Sequence, residues 1–146
     1  MSRRRSGGNR LSPNHKRWLY GVSLAVLLTG VLWLIFEWKV RVAGQFGERR
    51  HPLEGWWLNL HGAAAMAFLV LFGTLVRGHI RSGWRRGQRR RSGGGMVALS
   101  GLLILTGYGL YYSGSETLRP WISAIHWIAG LLAAALLLFH RRTARH

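Results

Sequence analysis

Four stretches of this chain contain no Asp, Glu, Lys or Arg: residues 18–36, 55–76, 92–115 and 121–139. Each is about 20 residues long, enough for a helix to cross a hydrocarbon core of roughly 30 Å. No water is available there to the backbone, so a spanning segment must satisfy its own N–H and C=O groups, as an α-helix does. A water-soluble domain of 146 residues has no use for four such runs. The sequence therefore predicts an all-α integral membrane protein, a four-helix antiparallel bundle.

The charges say which way it sits. With the amino terminus inside, the inner segments hold 16 of the 21 Lys and Arg residues, including Arg3, Arg4, Arg5 and most of the run from Arg77 to Arg91. The outer loops hold the other five, Lys39, Arg41, Arg49, Arg50 and Arg119, together with all four acids, Glu37, Glu48, Glu54 and Glu116. Lys and Arg are retained on the cytoplasmic side, so this bias predicts both termini cytoplasmic. A net charge of +17 on a soluble chain would suggest a nucleic-acid partner. Here the basic residues flank apolar spans, where they fix topology and meet anionic lipid, so no nucleic acid is expected.

Cysteine is absent, which excludes disulfides, thiolate metal sites and covalent Cys-x-x-Cys-His haem attachment within the chain. The start Met1-Ser2-Arg3-Arg4-Arg5 resembles a secretory or twin-arginine signal. The 19 uncharged residues that follow exceed the usual signal core, and Arg41-Val42-Ala43 is a poor cleavage site, so an uncleaved first span is expected.

Along the chain, residues 1–16 read as a basic cytoplasmic tail, 17–141 as the four-helix transmembrane domain and 142–146 as a second cytoplasmic tail. The helices are expected at about 18–36, 55–80, 95–113 and 120–141. Residues 37–54 read as an outer loop, with His51-Pro52 as the break before the second helix. The basic run ending in Ser92-Gly93-Gly94-Gly95 reads as a flexible inner loop. The loop 113–120 is short, which makes the last two helices antiparallel neighbours, with Pro120 at the first helical position. No internal repeat is visible.

Histidine supplies the candidate chemistry. His61 and His126 each lie five residues inside an apparent outer edge, Trp56 and Trp121, a depth of roughly 7 Å. Ionisable groups inside a membrane are costly and mark candidate sites. Two imidazoles at matched depth, with the second and fourth helices adjacent, could ligate one iron from both sides. On the last span His126 and His140 are 14 residues apart, about 40° different in direction and roughly 21 Å along the axis. Ala129, Gly130 and Ala133 between them could leave space for a porphyrin edge. On the second span His61 and His79 share a face, but their 18 residues span roughly 27 Å, so His79 and His140 would be out of register by about one turn. His15, His51 and His146 fall in tails or loops and are assigned no role.

The strings Leu60-His61-Gly62, Gly78-His79-Ile80-Arg81-Ser82-Gly83-Trp84, Leu105-Thr106-Gly107-Tyr108-Gly109-Leu110-Tyr111-Tyr112 and Ile125-His126-Trp127 resemble small four-helix bacterial membrane proteins related to cytochromes b. With the pair His126 and His140 on the last helix, the chain also distantly resembles the cytochrome b subunits of formate dehydrogenases and nickel–iron hydrogenases. The resemblance implies a multi-pass protein of the bacterial inner membrane. It implies bis-histidine haem b moving electrons between quinone and a partner redox protein or subunit outside the membrane. His126 and His140 match the helix-four ligands.

The expectation is thus one haem b on His61 and His126, and a second on His79 and His140. The alternative for both pairs is ordinary: polar contacts across a bundle for the first, interfacial hydration for the second. Gly101, Gly107 and Gly109 read as close-packing positions, and Arg119 and Tyr112 as outer-interface anchors. A haem-free accessory or scaffold subunit is the competing function. Coupled transport lacks a buried carboxylate or a clearly broken helix, and zinc lacks enough ligands. No nucleophile–base–acid constellation suggests a self-contained enzyme.

Overall fold

The computed structural model describes residues 12–76, 80–85 and 90–143. The chain is all-α apart from one small β-ribbon, and it divides into two compact units, residues 1–86 and 87–146.

The first unit is a helical hairpin. Helix α1 (Pro13–Lys39) starts where Ser12 caps it, its hydroxyl accepting the His15 N–H at 3.2 Å, with Pro13 in the first turn. Proline fits there because its missing N–H would have had no intrahelical partner. The helix thus begins five residues before the expected edge, and His15, expected in a tail, lies on it. The outer loop forms a ribbon of β1 (Arg41–Gly44) and β2 (Gly47–Arg50), antiparallel, with Arg41 opposite Arg50 and Gly44 opposite Gly47. Its turn is Gln45-Phe46, closed by Gly47 at φ +114°, a conformation that favours glycine. Phe46 at the tip is 98% exposed.

Helix α2 (Pro52–Leu75) follows at once. His51 caps it, its Nδ1 accepting the Leu53 N–H at 3.1 Å. Helix α2 packs on α1. The Arg50 guanidinium bridges Glu54 Oε1 on α2 at 2.9 Å and Glu37 Oε1 on α1 at 3.3 Å, pinning the ribbon to both helix ends. Glu54, expected at the edge of an exposed loop, is only 4% exposed. A short helix α3 (Arg81–Arg85) completes this unit. Residues 77–79, and with them His79, lie outside the described residues.

The second unit is another helical hairpin. Helix α4 (Arg90–Tyr112) runs through the glycine-rich segment expected to be a flexible loop. Glycine is a poor helix former, by about 1 kcal/mol per residue relative to alanine, and tertiary contacts override it here. A Cβ at Gly95 would sit 3.1 Å from Leu136 Cδ2 on α5, a tight contact that the leucine would have to relieve. Helix α5 (Leu118–Thr143) starts two residues earlier than expected. Pro120 therefore falls at the third helical position, still within the turn whose N–H groups have no intrahelical acceptor. Arg119 donates to the carbonyls of Leu110 and Ser113, capping the open end of α4. The anchor expected at Arg119 is thus also a helix cap.

Four helices are long and apolar enough to cross a membrane: Pro13–Lys39, Pro52–Leu75, Arg91–Tyr112 and Leu118–Arg142. Their outward faces are apolar: Leu24, Leu28, Val70, Leu105 and Leu132 are each more than half exposed. Such surface is stable against lipid and not against water. The chain is a multi-pass membrane protein.

Candidate functional site

Each hairpin holds one deep histidine in the same way. In the first unit, Thr29 on α1 sends its hydroxyl hydrogen back to the Ala25 carbonyl at 2.7 Å, a common habit of mid-helix threonine. Its oxygen then faces Nδ1 of His61 on α2 at 3.2 Å. The same Nδ1 lies 3.0 Å from the Val26 carbonyl. A carbonyl can only accept, so the hydrogen of the neutral ring sits on Nδ1 and the lone pair on Nε2. Gly30 makes the approach possible: a Cβ there would be 3.0 Å from His61 Cε1 and 3.2 Å from Nδ1.

The second unit repeats this arrangement. Thr106 on α4 donates to the Leu102 carbonyl at 2.7 Å. Its oxygen lies 2.8 Å from Nδ1 of His126 on α5, and with the hydroxyl hydrogen spent on Leu102 it is placed to accept from that nitrogen. A Cβ at Gly107 would lie 3.4 Å from His126 Cε1. The shared string is Leu28-Thr29-Gly30 in one hairpin and Leu105-Thr106-Gly107 in the other. The two units thus carry a repeated device where the sequence had suggested no repeat. The Leu-Thr-Gly string was the available signal.

A second contact of the same kind lies toward the inner end of each hairpin. His140 Nδ1 on α5 is 3.0 Å from the Ser92 hydroxyl on α4. In the first unit the partner histidine is His15: its Nε2 is 3.2 Å from the Thr74 hydroxyl, which itself donates to Leu71 O at 2.6 Å. His15 lies fourteen residues before Thr29, and His140 fourteen after His126, so each inner contact is roughly 21 Å from its outer one. The sequence reading missed His15 by placing it in a tail.

The small residues beside His126 serve the hairpin itself. Ala129 is buried at 3% exposure, and a Cβ on Gly130 would touch Leu103 at 3.8 Å. Gly107 and Gly109 are close-packing positions as expected, against His126 and Ile122, whereas a Cβ at Gly101 would meet nothing within 4 Å. On α2, Phe68 and Phe72 stack at 5.9 Å along the stripe below His61. At the outer end of α4, Tyr112 meets Tyr108 and Tyr111 at 4.4 and 5.0 Å, all well exposed, as an interfacial aromatic cluster would be.

Among the described residues, no three His, Cys, Asp or Glu side chains gather as a metal cluster. A tetrahedral zinc site therefore has no frame there. Taken one hairpin at a time, each deep ring has donor chemistry that suits a metal ligand. Metal-bound histidines usually donate the second ring N–H to a carbonyl or similar acceptor, which fixes tautomer and orientation. His61 has such an acceptor in the Val26 carbonyl, and His126 has the Thr106 hydroxyl oxygen within reach of the same ring nitrogen. Compared with known protein families, curated proteins and solved structures, the chain matches none.

Proposed function

We propose that this chain is a b-type cytochrome of the bacterial inner membrane, with both termini cytoplasmic. It would pass electrons through bis-histidine haem b between a quinone pool or partner subunit and a periplasmic partner. His61 and His126 are its axial ligands, one from each hairpin. The observation that carries the reading is the oxygen set against Nδ1 of each ring, Thr29 and Val26 at His61 and Thr106 at His126, an arrangement that would direct Nε2 to iron. Haem iron so ligated supplies a one-electron couple with no open position for oxygen, which favours electron transfer over oxygen chemistry.

For a second haem, the inner contacts favour His15 over His79 as partner of His140. His15 and His140 keep the same roughly 21 Å spacing from the outer contacts, whereas His79 misses by about one turn. His15 now uses Nε2 toward Thr74, so ligation through that atom requires its ring to turn over and give up one hydrogen bond.

The competing reading is a haem-free accessory subunit, and one observation favours it. The hydrogen bonds at His61 and His126 already satisfy one nitrogen of each ring and tie the two helices of each hairpin together, which is a structural use. A reduced-minus-oxidised spectrum of the purified protein, with haem counted per chain, separates the two. A b-type α-band that disappears in His61→Ala and in His126→Ala supports the cytochrome. No haem after expression with ample haem supply rejects it.

A further inference from the structure

We propose that Thr106 is a positioning residue that sets the tautomer, rotation and donor strength of the His126 ring, and that Thr29 shares this role at His61 with the Val26 carbonyl, which lies 3.0 Å from the same nitrogen. The inference rests on the cytochrome reading for its redox consequence, but its structural core concerns this chain's own side chains.

The geometry is a polarised relay in each hairpin. A main-chain carbonyl, Ala25 or Leu102, takes the threonine hydroxyl hydrogen at 2.7 Å. The hydroxyl oxygen is thereby left as an acceptor, at 3.2 Å from His61 Nδ1 and 2.8 Å from His126 Nδ1. Hydrogen bonds in series strengthen one another in a low-dielectric interior. Pull on the Nδ1 hydrogen raises electron density at Nε2, and a stronger donor stabilises ferric over ferrous iron. Loss of the hydroxyl therefore raises the potential and weakens haem retention.

Gly30 and Gly107 follow the threonines directly; a Cβ at Gly30 would press on the His61 ring at 3.0 Å, while one at Gly107 would meet the His126 ring at 3.4 Å, an ordinary contact. A threonine used only for helix packing would not need its oxygen aimed at a ring nitrogen twice over.

The test uses the full-length protein in detergent and compares wild type with Thr106→Val and Thr106→Ser, then with the same changes at Thr29. Valine keeps the shape and removes the hydroxyl, while serine keeps the hydroxyl. With haem bound, Thr106→Val is expected to shift the midpoint potential upward, to change the ferric low-spin EPR signal that reports ring orientation, and to weaken haem retention about 10- to 100-fold. Thr106→Ser is expected to restore all three. A valine variant with wild-type potential and EPR signal overturns the inference while leaving the cytochrome intact. So does a serine variant that behaves like valine.

If wild-type protein takes up no haem, the cytochrome reading fails by itself, and ¹⁵N NMR of histidine-labelled protein decides the structural core. An Nδ1–H signature at His126 that is lost in Thr106→Val upholds the positioning role. The same signature in both proteins, whichever ring nitrogen carries the hydrogen, overturns it.

Discussion

His61 lies close against the backbone of α1 at Gly30: a Cβ there would stand 3.0 Å from the ring carbon Cε1, so the ring would have to give by a few tenths of an ångström. Gly30→Ala is expected to shift the ring relative to Thr29 and Val26. Overpacking of this sort costs about 1–3 kcal/mol. Gly62→Ala is the control, because a Cβ at that position meets nothing within 4 Å. There the substitution is expected to be neutral or to stabilise α2 by about 0.5–1 kcal/mol. Haem-to-protein ratio and thermal unfolding in detergent check the pair: Gly30→Ala should lose haem and stability, and Gly62→Ala neither.

The outer ribbon depends on one guanidinium. Arg50 meets Glu54 at 2.9 Å and Glu37 at 3.3 Å, and Glu54 is almost wholly buried. Arg50→Ala leaves the Glu54 carboxylate buried without its cation. The cost is expected at about 1–3 kcal/mol, since an orphaned buried polar group loses its full hydration. The exposed guanidinium side of the bridge keeps the figure toward the lower end. Limited proteolysis should cut Arg50→Ala within residues 41–50 faster than wild type. The double substitution Arg50→Ala with Glu54→Gln should recover part of the loss, because it removes the stranded charge.

Topology is directly testable because the chain has no cysteine of its own. Phe46, at the ribbon tip, is 98% exposed and should face outward. Phe46→Cys is expected to react with a membrane-impermeant maleimide in intact cells. Ser12→Cys, at the start of α1, should react only after the membrane is opened. The reverse pattern would contradict the distribution of Lys and Arg that selects the orientation.

The spans were legible in the sequence because charge exclusion over twenty residues is a strong signal that needs no tertiary information. The ribbon was not, since four-residue strands such as Arg41-Val42-Ala43-Gly44 carry too little pattern to stand out from a loop. The helical Gly93-Gly94-Gly95 segment misled for a different reason: local propensity argues against a helix there, and the packing of α4 on α5 lies outside what local propensity can report. For the site, burial depth and helical phase singled out His61 and His126. What they could not show was which hydroxyl each ring would face. Thr29 is 32 residues from His61 and Thr106 is 20 from His126. No fixed spacing joins a ring to its hydroxyl, and only the pairing of helices within a hairpin brings them together.

The inner contacts give the most discriminating prediction. If a second haem binds, His140 supplies one ligand, and its Nδ1 already rests on Ser92 at 3.0 Å. The fourteen-residue spacing that separates His140 from His126 also separates His15 from Thr29, which points to His15 rather than His79 as the other ligand. Protein containing two haems per chain should therefore fall to one in His15→Ala and in His140→Ala, and should keep two in His79→Ala. Thr74→Val sharpens the test. Thr74 holds His15 by the nitrogen that iron would need. Removing the hydroxyl should leave the inner haem in place, or bind it more tightly, because the ring no longer gives up a bond when it turns. Loss of the second haem in His79→Ala with retention in His15→Ala would reverse the assignment.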